Sequence, residues 1–351
     1  MYDRRVPHAV KAIRPRRLAD WWTDDPVNPG RAALSNPAVR QLIAEIDPDC
    51  RAGDLGGTMS LNVRIEPTGL VLRVHQPFVS RQRLRALQAV RINLALQGLV
   101  VPVPVNHRGS TIFRCGDRWA ELEPYISHER LDPAPASYSW MFGAMGRLHR
   151  ALAACDLTVP RPLVATYASP GSLQRWLRVT ESAVQGDAEA GDIVQWTRDL
   201  LNRLSRQWVP AARLPTRLVH GDVRLSNVCR SPDGGTVYLD FGFLAIRPRI
   251  HELAYSVAFM LLALNGHTDP TRSWQGVPRL LETYESSAAV PLTMMERDAL
   301  AVYTAAVPLY FAALAGFNDD PVRQLHAYLP FMYLSEWLLA HPHAYCRGYA
   351  P

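Results

Sequence analysis

The sequence predicts an α+β fold with two lobes, in which a small N-terminal antiparallel sheet precedes a larger, mostly helical region. Residues 60–66 alternate apolar and polar side chains, Pro67-Thr68-Gly69 supplies a turn, and residues 70–74 form a second strand, so the two segments make a hairpin. From Tyr138 onward, segments with the helical period dominate, separated by proline-containing breaks. The chain of 351 residues is long enough for two lobes, each with its own core.

The other N-terminal elements follow from local signals. Residues 1–28 form a basic lead-in without a clear element, and residues 36–46 read as a helix behind a Ser/Asn cap. Composition and period favour a second helix at 81–97, and residues 112–114 and 119–122 complete the sheet. This order divides the chain into an N-terminal lobe, 1–122, and a helical C-terminal lobe, 123–351. The sequence contains no internal repeat.

Composition excludes several classes of protein. The formal net charge is +6, but the basic residues are spread along the chain without interleaved aromatic residues, so no nucleic-acid partner is predicted. The most apolar stretch found, 253–264, is shorter than the about 18 residues of a membrane span, and the basic N-terminus lacks the apolar run of a signal peptide. The five cysteines are scattered without metal-ligand spacing. We expect a cytoplasmic protein with reduced thiols; the oligomeric state stays open.

The most informative segment runs from His220 to Asn227 and is followed by Leu239-Asp240-Phe241-Gly242. It places Asp222, Asn227 and Asp240 around a short hairpin. Phosphoryl transfer from a magnesium nucleotide needs a carboxylate that orients the attacking hydroxyl and hard oxygen ligands that hold the metal on the phosphates. These three side chains supply both.

The turn at 231–235 sets the register of this hairpin. A turn centred on Asp233-Gly234 would put Asn227 opposite Asp240, close enough for both side chains to bind one ion. Pro232 lacks the N–H that a two-residue loop would use, and a longer loop would shift the pairing by about one residue. Both registers stay open.

His-Gly-Asp, an Asn five residues after this Asp, and Leu-Asp-Phe-Gly together resemble the aminoglycoside phosphotransferase-like kinases, distant relatives of protein kinases. The resemblance spans roughly residues 55–266 and includes Leu148-His149, Glu252 and the strand 71–74. It implies a protein-kinase-like fold and an enzyme that uses ATP and Mg²⁺, with GTP not excluded. The reaction implied is phosphorylation of a small-molecule hydroxyl.

The resemblance also implies roles for single residues. Asp222 is expected to act as catalytic base. His220 is expected to brace the loop by hydrogen bonding rather than to titrate in catalysis. Arg224 could contact the transferred phosphoryl group, or it could be a surface arginine. Asn227 and Asp240 are expected to hold Mg²⁺.

Nucleotide contacts are expected at two further places. Gly56, Gly57, Thr58 and Ser60 are candidates to cover the phosphates, because glycine lets backbone amides approach them; an ordinary turn into a strand is the alternative. The segment with Glu123, Tyr125 and Ile126 lies where the chain should cross between the lobes, and relatives bind adenine there through backbone groups.

Arg73 stands where the resemblance expects the phosphate-binding lysine or its arginine substitute. The helix at 81–97 contains no acidic residue, although relatives usually place a glutamate there to orient the basic side chain. Gln88 lies near that position and could form the hydrogen bond instead. The departure leaves reduced activity or an unusual phosphate contact open.

The acceptor is the least defined part of the prediction. From Phe241 to the end, nine acidic residues stand against seven arginines, a near balance that gives no support to a polycationic acceptor. We expect a neutral or weakly charged hydroxylated molecule, with an antibiotic containing a nucleoside or a sugar as the leading candidate. The alternatives are a metabolic kinase of the choline, homoserine or sugar type and a degenerate kinase that binds without turnover.

Overall fold

The computed structural model describes residues 30–57, 59–162, 166–265 and 273–342. The basic lead-in predicted at 1–28 and the candidate phosphate contact Thr58 lie outside the described residues.

A five-stranded antiparallel sheet forms the N-terminal part, in the spatial order β1-β2-β3-β5-β4. The strands are β1 (Arg51–Asp54), β2 (Leu61–Glu66), β3 (Leu70–Val74), β4 (Ile112–Cys115) and β5 (Arg118–Pro124). The alternation predicted for β2 is confirmed, because Leu61, Val63 and Ile65 are fully buried. Strand β1 was not predicted, since all four of its residues are exposed and carry no apolar alternation.

Two helices cover the sheet from opposite sides. Helix α1 (Pro37–Ile46) begins behind Asn36, whose side chain accepts a hydrogen bond from the Ala38 N–H, and it packs on the apolar face of the sheet. Helix α2 (Arg81–Leu96) is capped by Ser80, and its Leu84, Leu87 and Leu94 join the core of the second lobe. The second sheet face, which carries Arg73, lies towards α2.

The remainder is mostly helical, as predicted. It contains α3 (Pro135–Ala153), α4 (Pro170–Ala183), α5 (Ala188–Gln207), α6 (Arg249–Asn265), α7 (Val277–Ala288), α8 (Met294–Ala313) and α9 (Pro321–Ala340). A small sheet followed by a helical lobe confirms the two-lobed α+β fold. The boundary proposed between residues 122 and 123 falls within β5, and the division into lobes there stays a prediction.

Four short strands hold the loops between α5 and α6. Strand β6 (Thr216–Val219) pairs with β9 (Ala245–Pro248), and β7 (Val228–Arg230) pairs with β8 (Thr236–Tyr238). Val228 lies opposite Tyr238, and the Leu239 N–H donates to the Asn227 carbonyl at 2.8 Å. Asn227 is therefore opposite Leu239. The predicted pairing of Asn227 with Asp240 is wrong, and the alternative register with a longer loop is correct.

Helix α8 corrects the expectation about apolar segments. Among the described residues, one helical stretch, Met294–Phe317, is long and apolar enough to cross a membrane, with a mean hydropathy of 1.7. Within this protein 78% of that stretch is buried. Its apolar side chains pack against α6 and α9, as in the central helix of a globular core.

Candidate active site

The loop from His220 to Asn227 leaves β6 and passes close to the segment after β8. Gly221 has a φ of +88°, and a Cβ atom there would lie 2.5 Å from the carbonyl oxygen of Phe243. Only glycine accepts both the left-handed backbone and this approach. The sequence His-Gly-Asp therefore brings the loop with Asp222 next to the loop with Asp240.

Glu252, on α6, holds the loop with His220 and Gly221 in place. Its fully buried carboxylate accepts hydrogen bonds from the backbone N–H groups of His220 and Gly221, the former at 3.0 Å. His149 on α3 lies 2.6 Å from the same carboxylate, and its other ring nitrogen is 2.8 Å from the Tyr284 hydroxyl. Burial raises the pKa of Glu252, but His149 and the backbone donors outweigh it and hold that pKa below its usual value.

The roles of Glu252 and His149 were not predicted from the residues alone. Their only signal was the resemblance, because positions 149, 220 and 252 are far apart along the chain.

His220 is fully buried, and its ring links the two loops. Its Nε2 atom lies 2.8 Å from the carbonyl oxygen of Leu239, while the N–H of Asp222 points to Nδ1 at 3.3 Å. Both ring nitrogens are therefore used for structure. This arrangement is consistent with the bracing role expected for His220.

Asp222 is only 2% exposed and is surrounded by donors. Nδ2 of Asn227 donates to its Oδ2 atom and Nη2 of Arg224 donates to the same atom, at 2.8 Å and 2.9 Å. Nε of Arg224 lies 2.8 Å from Oδ1. Burial raises the pKa of Asp222, and the neighbouring Arg224 opposes that rise.

Arg224 is thus not a free surface residue, because its guanidinium contacts Asp222. Its side chain is 38% exposed, and the guanidinium lies 5.3 Å from the centre of the Phe259 ring.

The two candidate metal ligands present hard oxygen atoms. Nδ2 of Asn227 donates to Asp222, and these hydrogen bonds fix the orientation of the amide. Oδ1 is then the atom of this side chain that can bind a metal ion. Asp240 adopts a left-handed backbone with φ of +58°, and 36% of its side chain is exposed. No group of three His, Cys, Asp or Glu side chains within the described ranges could hold a metal alone. Mg²⁺ suits such a pair, because it commonly keeps waters and takes its other ligands from substrate phosphates.

A cavity of about 210 Å³ and one of about 260 Å³ meet at Arg73 and Asp240. The larger is lined by residues from both groups of predicted nucleotide contacts and by the metal-ligand pair: Gly56, Gly57, Glu123, Tyr125, Ile126, Asn227 and Asp240. Ser60 lines the smaller cavity instead, together with Met59 and Arg83. The structure therefore brings the predicted nucleotide residues into one cleft, except for Ser60 and the undescribed Thr58.

The glycines at the edge of the cleft form the turn between β1 and β2. Gly56 and Gly57 have φ values of +86° and +109°. The Gly56 N–H donates to Asp54 at 2.8 Å, and Asn62 donates to the Gly56 carbonyl at 3.0 Å. The segment is thus a turn between strands, as in the alternative considered, and it also lines the cavity.

Arg73 pairs with Asp240 rather than with Gln88. Burial lowers the pKa of Arg73, but Asp240 and two nearby glutamates outweigh this and raise it. Gln88 donates to Glu121 at 2.9 Å and to the carbonyl of Thr111 at 3.1 Å. The suggestion that Gln88 replaces the helix glutamate as the direct partner of Arg73 is therefore wrong.

A two-lobed α+β fold with Asn227 and Asp240 in the cleft, and with Asp222 hydrogen-bonded to Asn227, is the arrangement of a kinase-like phosphotransferase. The family model named APH, the phosphotransferase enzyme family, matches residues 54–315, and the chain belongs to this family. The family acts on small-molecule hydroxyl groups, which makes this chain a phosphotransferase with an alcohol acceptor.

Solved structures agree on the fold at low sequence identity. An amicoumacin kinase in complex with AMP-PNP, Ca²⁺ and Ami superposes with a TM-score of 0.63 at 13% identity, over 86% of this chain and 94% of that one. A microcompartment-associated aminopropanol kinase gives a TM-score of 0.66 at 15% identity, over 89% and 97%.

A choline/ethanolamine kinase family protein from Mesorhizobium loti gives 0.55 at 16% identity, over 89% and 97%. No curated protein matches the sequence significantly.

Proposed function

We propose that this protein transfers the γ-phosphoryl group of ATP, with Mg²⁺, to a hydroxyl of a small molecule in the cytoplasm. One observation carries the proposal. Asn227 donates two hydrogen bonds to Asp222. Asn227 and Asp240 both line the cavity of about 260 Å³, which we call the nucleotide cavity. A hydroxyl-orienting carboxylate and a metal-binding pair are what phosphoryl transfer requires.

Each side chain has a distinct task in this proposal. Asp222 orients the acceptor hydroxyl and accepts its proton as the oxygen attacks phosphorus. Asn227 and Asp240 would hold the metal, which when bound would neutralise charge on the phosphates. Arg73 contacts the phosphates, and Arg224 keeps the carboxylate of Asp222 in place and offsets negative charge near the transferred group.

The side chains next to Asp222 support a neutral acceptor. Arg224 lies over Phe259, whose ring centre is 4.8 Å from that of Tyr255. Phe311 and Tyr328 stack 4.8 Å apart on neighbouring helices. Aromatic faces favour planar or sugar-like groups, whereas several ammonium groups would each need a carboxylate on leaving water. An antibiotic that carries a nucleoside or a sugar fits this chemistry, with resistance as the use.

Two alternatives are kept. A metabolic kinase of the choline, homoserine or sugar type would share all residues of the catalytic loop, and structural neighbours include an aminopropanol kinase and a choline/ethanolamine kinase family protein. A binding protein without turnover is favoured only by the helix α2, which lacks an acidic residue.

The deciding experiment incubates the purified protein with γ-³²P-labelled ATP, Mg²⁺ and a panel of acceptors. The panel contains nucleosides, aminoglycosides, sugars, choline and aminopropanol, and Asp222→Asn is the matched control. Transfer to one class, lost in the control, supports the enzyme and identifies its acceptor. ATP binding without transfer to any member would favour the binding protein, and absence of ATP binding would reject the proposal.

A further inference from the structure

Helix α2 reverses the charge pattern that the resemblance predicts. Its 16 residues include no acid, yet it buries Arg83, Gln88 and Arg91. A buried guanidinium requires a counter-charge or several acceptors, because removing it from water is otherwise costly. The counter-charges of Arg91 come from the sheet.

Two carboxylates on β5 face this helix. Arg91 donates to both, at 2.7 Å for Glu123, and Gln88 and His75 also bind Glu121. Glu121 lies directly opposite Arg73 in the β3–β5 register, and Glu123 is two residues along on the same face. The acidic partners that relatives place on the helix are therefore on the strand beside Arg73.

Atoms without a hydrogen-bond partner remain in this cluster on Arg73, Arg91 and Glu123, and the one on Arg91 is Nε. Nε of Arg73 is buried and has no hydrogen-bond partner among the described residues. Arg91 donates to Oε2 of Glu123, and no described residue donates to Oε1. Arg73 and Glu123 lie on the same face of the sheet and both line the nucleotide cavity, which places the two side chains as neighbours there.

The charges balance without Asp240. The guanidinium groups of Arg73 and Arg91 face the two carboxyl groups of Glu121 and Glu123. Burial raises the pKa of Glu123, and Arg91 and Arg73 oppose that rise. Burial lowers the pKa of His75, which disfavours a further positive charge there. Arg73 can therefore leave Asp240 without creating an unpaired buried charge. Asp240 is then free to bind a metal ion, for which Arg73 is a competitor.

We infer that Glu123 is a positioning residue that holds Arg73 on the nucleotide phosphates, and that Arg91 holds Glu123 in place for this task. The strand carboxylate replaces the helix glutamate of relatives. The inference rests on the proposed phosphate contact of Arg73. It assigns the Glu123 side chain to Arg73 rather than to adenine.

The test is a double-mutant cycle of Glu123→Gln with Arg73→Gln, measured as KM for ATP, kcat and the Mg²⁺ concentration for half-maximal rate. Glutamine keeps the acceptor for Arg91 and removes the charge. We expect Glu123→Gln alone to raise KM by roughly ten-fold with kcat changed less than about three-fold, since a charged hydrogen bond to a substrate-binding group is lost. The Mg²⁺ requirement should rise as well, because Arg73 then remains on Asp240.

In the Arg73→Gln background the same change should alter KM by less than about two-fold, because residues that act through one another are not additive. Equal effects in both backgrounds, or no effect of Glu123→Gln alone, would overturn the inference. If Arg73→Gln itself leaves KM unchanged, the phosphate role of Arg73 in the proposed function is also lost.

Glu45→Gln, on the exposed side of α1, is the control for removing a carboxylate elsewhere. If thermal unfolding shows that Glu123→Gln is not folded, Arg91→Lys takes its place in the double-mutant cycle. An ammonium group cannot hold both carboxylates in the guanidinium geometry. A normal KM in folded Arg91→Lys would overturn the inference.

Discussion

Asn227 donates through Nδ2 to both the main-chain oxygen and Oδ2 of Asp222, each at 2.8 Å. One amide therefore fixes the carboxylate that should orient the acceptor and, by using its nitrogen, directs its own oxygen elsewhere. This links the acceptor side of the cleft to the metal side through a single side chain. A change in either residue should disturb the other.

Replacing Asp222 tests the base. We expect Asp222→Ala to reduce turnover by about 10²–10⁴-fold, since a positioned general base contributes about that much. Binding of ATP, measured by calorimetry, should change little because the carboxylate is proposed to face the acceptor and not the nucleotide. Turnover within a few fold of the unmodified enzyme would remove Asp222 from this role.

Asp240→Asn should act on the nucleotide side instead. We expect the affinity for ATP in the presence of Mg²⁺ to fall by roughly ten-fold or more, because a hard anionic ligand of the metal is lost. With EDTA present this loss should disappear, because Asp240 then has no metal ion to bind. Calorimetry that shows equal Mg²⁺-dependent affinity would contradict the assignment.

The pH dependence of kcat should report the pair formed by Asp222 and Arg224. Burial raises the pKa of Asp222, so activity should fall as the pH drops through that raised value. Arg224 opposes the rise. Arg224→Gln should therefore move the acidic limb of the profile to higher pH. A limb that stays in place or moves to lower pH would show that Asp222 does not control it.

Local signals predicted the elements but not the contacts between them. The helix behind Asn36 and the hairpin of β2 and β3 follow from a cap and from alternation, which act within a few residues. Strand β1 was missed because its exposed residues carry no pattern. Asp222 and Asn227 lie together because their motif is contiguous, and the β7–β8 hairpin returns the chain to them just before Asp240.

The partners of those residues could not be predicted in this way. Glu252 reaches the loop from 32 residues away, and Arg91 meets Glu121 across 30. Such pairings depend on how the helices and the sheet pack.

Gly221 should be intolerant of any side chain. Gly221→Ala places a Cβ atom 2.5 Å from the Phe243 carbonyl and also strains a left-handed backbone. Gly234→Ala is the matched control, since its φ is +84° but nothing lies within 4 Å of the added atom.

The left-handed strain alone should lower the free energy of unfolding by about 1–2 kcal/mol in both variants. We expect Gly221→Ala to lose much more and to lose activity, whereas equal losses in denaturant titrations would show that contact between the loops is not required.

The acceptor should be neutral rather than a polyamine. Three of the acids after Asp240 that could have paired ammonium groups are already used: Glu252 binds His149, Glu296 binds Arg249 and Glu285 binds Arg297. At the base itself, Arg224 places a positive charge beside Asp222. An incoming ammonium would be repelled there, so hydroxylated nucleosides should give the higher kcat/KM than kanamycin-type aminoglycosides.

Arg224→Gln tests whether aminoglycosides are disfavoured by repulsion from Arg224 or by the shape of the acceptor site. If repulsion by Arg224 disfavours the aminoglycosides, the substitution should narrow the difference in kcat/KM between the two acceptor classes, and high salt should do the same because it screens charges at the partly exposed guanidinium. Side-by-side kinetics at two salt concentrations would measure both effects. Faster turnover of aminoglycosides by the unmodified enzyme would mean that acids from separate helices converge on the acceptor after all.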